Sequence, residues 1–163
     1  MLLWEELNGR NPQEAGRQLL ARLYRAETGE DLPLIQKTPQ GKPYFDGSAY
    51  HFSVSHTPTH VFCVLFRENV GLDAERKDRK PDLRLAKRWL SEFEQEQFSR
   101  SANPADCFLR FWVLKESYAK LTGRGWGNYL KQTHFSAQDE RIQEIDGHYV
   151  AVLTEDEEND HAV

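Results

Sequence analysis

The hydrophobic period of this chain switches from helical to alternating and back, and that switch limits its fold more than any other feature. Residues Pro12 to Ala26 put Ala15, Leu19, Leu20, Leu23 and Tyr24 at helical spacing, and Gly29 ends the run. Pro39-Gln40-Gly41-Lys42-Pro43 reads as a turn. The period then drops to two. His51 to Ser55 sets Phe52 and Val54 against Ser53 and Ser55. Val61 to Phe66 is apolar enough to be buried on both faces. Val70 to Glu75 sets Val70, Leu72 and Ala74 against Gly71, Asp73 and Glu75. Arg67-Glu68-Asn69 is a short turn, so a hairpin is expected between 61–66 and 70–75. Helical spacing returns over Leu83 to Leu90. Ser91-Glu92-Phe93-Glu94 has the form of a capping box and opens a short helix to about Phe98. In the strongest helix Asn103 caps, Pro104 takes the first position and Gly123 stops the run. Its apolar stripe is Phe108, Phe111, Trp112, Ala119 and Leu121. After Gly127 the signal weakens, and His134 to Ala137 and His148 to Leu153 read as strands.

At 163 residues, 39% of them hydrophobic and 29% charged, the chain suits one folded domain or two small lobes sharing a core. Its longest apolar run, Val61 to Phe66, falls far short of the ~20 residues of a membrane span. Met1-Leu2-Leu3-Trp4-Glu5-Glu6 lacks the basic and apolar stretches of a signal peptide, so a cytoplasmic location without membrane contact is expected. Cys63 and Cys107 have no metal-site spacing and read as buried free thiols. Net charge is −5, with surplus acid concentrated from Glu155 to Asp160, so nucleic-acid binding is not expected. Arg76 to Arg88 is basic; it suits an acidic partner, or simply a solvated helix face.

Asp73 and Glu75 lie two apart on a strand, so both point to one side while Ala74 points into the core. Paired like charges raise each other's pKa. A hard divalent cation removes that penalty, and Mg²⁺ in particular takes a few carboxylates, several waters and a substrate phosphate. Two solvated acids at a strand end is the alternative. Trp112, Glu116 and Lys120 are four apart and share a helix face, a spacing that on its own means a surface salt bridge. Beside Asp73 and Glu75, Glu116 could supply a third carboxylate, and Lys115 and Lys120 positive charge for phosphates. Ser55 and His56, at a turn containing Pro58, can act as phosphate donors. They do not suit hydrolysis: adjacent strand residues point opposite ways, and no nucleophile elbow is present.

These residues resemble a known family. Val70-Gly71-Leu72-Asp73-Ala74-Glu75 resembles the G-[IV]-D-x-E segment of the 4′-phosphopantetheinyl transferases. Trp112 to Lys120 resembles their W-x-x-K-E-[SA]-x-x-K segment, continued by Gly123 and Gly125. Gly41-Lys42-Pro43 and Phe52-Ser53-Val54-Ser55-His56 resemble the G-K-P and F-N-x-S-H-S segments of the surfactin-type, holo-carrier-protein synthase branch. All four lie in family order across residues 41–125.

The resemblance implies an α+β fold of two similar halves, antiparallel strands packed on helices, over roughly 1–66 and 67–163. It implies transfer of 4′-phosphopantetheine from coenzyme A to a serine of an apo acyl or peptidyl carrier protein, with release of adenosine 3′,5′-bisphosphate. Asp73, Glu75 and Glu116 would hold Mg²⁺, with Mn²⁺ as an alternative, and Glu116 and Lys120 would be the catalytic pair. Lys115 and Lys120 would neutralise pyrophosphate charge, and Lys42, Ser55 and His56 would contact coenzyme A. Against the family pattern the N-terminal half is shortened, and His161-Ala162-Val163 resembles the start of a last strand cut early. A monomer is expected, with self-association open to it through edge strands left uncovered.

Overall fold

Residues 1–155 are described by a computed structural model of the chain. Helix α1 (Pro12–Thr28) forms where the apolar stripe predicts it. Asn11 accepts a hydrogen bond from the Glu14 N–H, Pro12 occupies the first turn, and Gly29 closes the helix in the left-handed conformation at φ 77°. The buried face of α1 lies on an antiparallel sheet of order β1-β5-β4, built from β1 (Leu2–Glu6), β5 (His60–Phe66) and β4 (His51–His56). A ribbon of β2 (Ile35–Lys37) and β3 (Pro43–Phe45) follows the helix, its turn at Thr38–Lys42 closed by backbone bonds.

A second antiparallel sheet has the order β6-β8-β7, with β6 (Val70–Arg76), β8 (His148–Thr154) and β7 (Ile142–Ile145). Against it lies α4 (Pro104–Thr122), capped by Asn103 and ended at Gly123 as its sequence signals require. The stretch at 83–90 divides into a 3-10 turn (Leu83–Leu85) and a short α2 (Ala86–Trp89). Ser91 and Glu94 make both bonds of the capping box at the start of α3 (Glu92–Arg100).

Strand β5 is buried on both faces, for a specific reason. Val61, Cys63 and Leu65 pack under α1, while Phe62 and Val64 pack against Val70, Leu72, Ala74 and Val150 of the second sheet. The two sheets therefore share a core. Both backbone edges of β5 are already taken by β1 and β4, so the expected hairpin of 61–66 with 70–75 does not form. Past Asn69 the chain enters the other sheet, and β6 pairs with β8.

Serine side chains, not a backbone ladder, seal the seam between the edge strands β4 and β6. Ser53 Oγ accepts from the Leu72 N–H at 3.0 Å and Ser55 Oγ from the Ala74 N–H at 3.3 Å. Elsewhere the sheets are tied by Thr57 to His148 (3.0 Å) and His60 to Asp146 (2.8 Å).

Residues 134–137 are not a strand. They follow a 3-10 turn (Asn128–Gln132), and the buried Phe135 N–H donates to the Glu94 carboxylate instead of a strand neighbour. Strands β1, β2, β3 and β7 carry no sequence signal strong enough to predict them. Cys63 and Cys107 are free and buried, and burial pushes the Cys63 thiol up to about 12. No helix among the described residues is long and apolar enough to cross a membrane. The acidic run from Asp156 and the strand expected at His161–Val163 lie outside the described residues.

Candidate functional site

The site is built where α4 crosses β6, and Gly71 makes the crossing possible. A Cβ at Gly71 would sit 1.9 Å from the Ser117 carbonyl oxygen and 2.5 Å from the Leu121 backbone nitrogen. With only hydrogen there, the helix backbone rests on the strand. Ser117 fastens it further by donating to the Ala151 carbonyl of β8 at 2.9 Å. Gly71, Asp73 and Glu75 share one side of β6, so a helix seated at Gly71 overhangs both acids. Glu116 and Lys120 are the side chains it brings to them.

The contacts follow. Lys120 Nζ donates to Asp73 Oδ1 at 2.8 Å, and so does Ser55 Oγ at 2.8 Å. Glu75 pairs with Arg79 of the loop after β6. Glu116 Oε1 accepts from the Trp126 indole N–H at 2.8 Å. Asp73 is buried and the two glutamates are half-buried. Burial pushes the Glu75 carboxyl up to about 7; the charges of Asp73 and Glu116 add to that shift, and those of Arg79 and Lys120 oppose it. Glu116 is also raised, first by burial and then by the Asp73 charge. The Asp73 charge thus acts on both glutamates.

This donor set fits a hard divalent cation. It offers oxygen ligands only, in a partly desolvated site where burial and like charge raise both glutamates. In the structure, Lys120, Arg79 and Trp126 occupy carboxylate oxygens of the three acids. Glu6, His60 and Asp146 bring three ligand-type atoms within 4.8 Å of one another at a different place, where His60 and Asp146 already satisfy each other at 2.8 Å.

A cavity of about 260 Å³ opens beside Lys120, lined also by Lys42, Pro43, Phe52, Ala119 and Gly123. Lys42, in its wall, donates to the Leu121 carbonyl at 2.6 Å and to Asn69, serving the C-terminal end of α4. Burial lowers its pKa. His56 is exposed at the end of β4.

Two expected phosphate ligands are placed otherwise. The Ser55 hydroxyl is buried and committed to Asp73 and the Ala74 N–H, so it is not a free donor. Lys115 is fully buried on the far side of α4. There it pairs with Glu94 at 2.7 Å and donates to the Leu130 carbonyl and to Thr133. Lys115 and Lys120 are five residues apart, and a helix turning every ~3.6 residues sends them different ways.

Two residues that sequence reasoning passed over belong to the site. Arg79 has no signal, because its spacing from Glu75 means nothing outside a helix. Trp126 has a faint one: a large aromatic set between Gly125 and Gly127 in a turn-rich stretch needs something to pack on.

Comparison with known proteins adds an independent line. A family model described as the 4′-phosphopantetheinyl transferase superfamily matches residues 69–162, which include Asp73, Glu75, Glu116 and Lys120. The chain is 33% identical over 94 residues to the 4′-phosphopantetheinyl transferase gsp of Aneurinibacillus migulanus, covering 56% of this chain and 39% of that protein. It is 30% identical over 132 residues to a 4′-phosphopantetheinyl transferase of Bacillus subtilis, covering 76% of this chain and 58% of the relative. It is also 30% identical over 141 residues to the L-aminoadipate-semialdehyde dehydrogenase-phosphopantetheinyl transferase of Xenopus laevis, covering 74% and 46%. The chain therefore spans between 39% and 58% of the length of these relatives.

Proposed function

Because the chain belongs to the 4′-phosphopantetheinyl transferase superfamily, we propose that it moves 4′-phosphopantetheine from coenzyme A to a serine of an apo acyl or peptidyl carrier protein. The observation that carries this is the seating of α4 on Gly71, which joins Glu116 and Lys120 to Asp73 and Glu75 beside an open cavity.

Asp73, Glu75 and Glu116 would hold Mg²⁺, or Mn²⁺ in its place. When bound, the ion supplies charge neutralisation for the pyrophosphate. Lys120, released from Asp73, pairs with a phosphate oxygen from the cavity side. Glu116, whose Oε1 is held by Trp126, accepts the hydroxyl proton of the carrier serine, directly or through a water. The serine oxygen then bonds to the β-phosphorus of coenzyme A. The bond from that phosphorus to the bridging oxygen breaks, and its electron pair leaves with adenosine 3′,5′-bisphosphate. Positioning and charge neutralisation carry most of such a step. Lys42 contacts coenzyme A from the cavity wall and His56 from the β4 end, whereas Ser55 acts by orienting Asp73.

The test is mass spectrometry of a panel of apo carrier proteins incubated with the chain, coenzyme A and Mg²⁺. The expected result is one phosphopantetheine added to the carrier serine, abolished by Asp73→Ala in a chain that still folds. No mass gain on any carrier, or full activity in Asp73→Ala, overturns the reading. Phosphate release from nucleotides without carrier modification would point to a hydrolase instead.

A further inference from the structure

Trp126 does more than fill space. Its indole N–H donates to Glu116 Oε1 at 2.8 Å, and its ring contacts two other tryptophans. One is Trp112, stacked at 4.5 Å between ring centroids with 30° between planes. The other is Trp89, edge-on at 4.7 Å and 69°. Trp112 stands one helical turn before Glu116 on the same face of α4, and Trp89 comes from α2. Arg79, the partner of Glu75, holds its guanidinium 5.7 Å from the Trp112 ring centroid. The loop after Gly125 is thus clamped to two helices by aromatic contact, and the one polar atom of the clamped ring is aimed at a site carboxylate.

We propose that Trp126 is a positioning residue for Glu116. It fixes which carboxylate oxygen is occupied by the protein and which remains turned toward Asp73 and Glu75. This rests on the reading of Asp73, Glu75 and Glu116 as the cation ligands. A glutamate side chain has several rotatable bonds, and on a half-buried helix face its carboxylate swings unless a donor holds it. A single N–H to an ionised carboxylate gives a charge-assisted bond with a defined direction. The indole can supply it rigidly because Trp112 stacks on the ring and Trp89 packs edge-on against it. Trp126→Phe would keep an aromatic ring beside Trp112 and Trp89 while losing the N–H donor and the smaller ring that carries it.

The experiment compares the wild-type chain, Trp126→Phe and Asp73→Ala. Mg²⁺ binding is measured by calorimetry, and transfer to a carrier is resolved into kcat and the KM values for carrier and coenzyme A. The Phe variant should keep the wild-type far-ultraviolet spectrum, bind Mg²⁺ about tenfold more weakly and lose about tenfold in kcat, with both KM values within twofold. A wholly structural role would instead lower the melting temperature and leave Mg²⁺ affinity unmoved. Mg²⁺ binding within twofold of wild type in Trp126→Phe, while Asp73→Ala has lost it, overturns this inference alone. Unchanged binding in Asp73→Ala overturns the cation assignment and this inference with it. The wild-type chain supplies a check that no folding defect can obscure. Saturating Mg²⁺ should change the near-ultraviolet circular dichroism of the tryptophan cluster, and no change sinks the proposal.

Discussion

Helix α4 carries two lysine–carboxylate pairs on different sides, and they do opposite things. Lys115 and Glu94 are both fully buried. Glu94 also accepts from the Ser91 and Phe135 backbone N–H groups and from Thr133, and Lys115 donates to Leu130 and Thr133. Every polar atom there is satisfied within the chain. Lys120 and Asp73, by contrast, sit at the mouth of a cavity, with 32% of the lysine side chain exposed. Their neighbours Glu75 and Glu116 are raised because burial and like charge outweigh the nearby cations. The first region is closed and holds α3, α4 and the 128–135 loop together. The second is left short of positive charge, which is the condition a cation and a pyrophosphate can complete. Which side of α4 a lysine occupies separates scaffold from site.

Both regions depend most on Gly71, which supports them by letting α4 sit on β6. Gly71→Ala sets a methyl 1.9 Å from a backbone oxygen, so it should either prevent folding or lower stability by more than ~4 kcal/mol. Denaturant unfolding checks this, and near-wild-type stability would mean that α4 shifts freely. The closed side comes next. Lys115→Ala leaves the Glu94 charge buried without its partner and should cost about 3–5 kcal/mol in the same measurement.

A smaller effect, of opposite sign, is expected on the open side. The folded-state pKa of Glu75, about 7, lies above its usual 4.5. The stabilisation that comes from its bound proton is therefore complete below pH 4.5 and lost as pH rises through 7. Without Mg²⁺, Glu75→Gln should make the chain about 1–2 kcal/mol more stable than wild type at pH 8, with no gain at pH 4. Melting curves at the two pH values decide it, and a variant less stable at pH 8 would show that the Arg79 pair outweighs burial. The smallest stability effect belongs to the exposed Arg84, Lys87 and Arg88. Reversing all three should leave melting unchanged, raise KM for an acidic carrier about tenfold and spare coenzyme A affinity. An unchanged carrier KM places docking elsewhere.

Much of this was legible from residue order, and the misses share a cause. Ser91, Asn103, Gly29 and Gly123 mark helix ends because caps satisfy backbone groups within a few residues. Val61 to Phe66 reads as buried on both faces, and it is. Its partner strands could not be read, because hydrogen-bonded edges depend on what else reaches them. β1 comes from the other end of the N-terminal segment to take one edge of β5, and the hairpin with β6 is lost. Around Phe135, apolar alternation does not distinguish a strand from a loop pinned by Glu94. Ser55 looked like a free donor because Asp73, its acceptor, lies in another strand.

Residue order alone makes Asp73 and Glu75 point the same way, since side chains on a strand alternate whatever surrounds them. It also determined where α4 begins and ends. That Glu116 and Lys120 meet those acids while Lys115 turns inward to Glu94 depends on packing. Helical spacing says which residues share a face, but the surface that face meets is set by long-range fit, here by the missing side chain at Gly71.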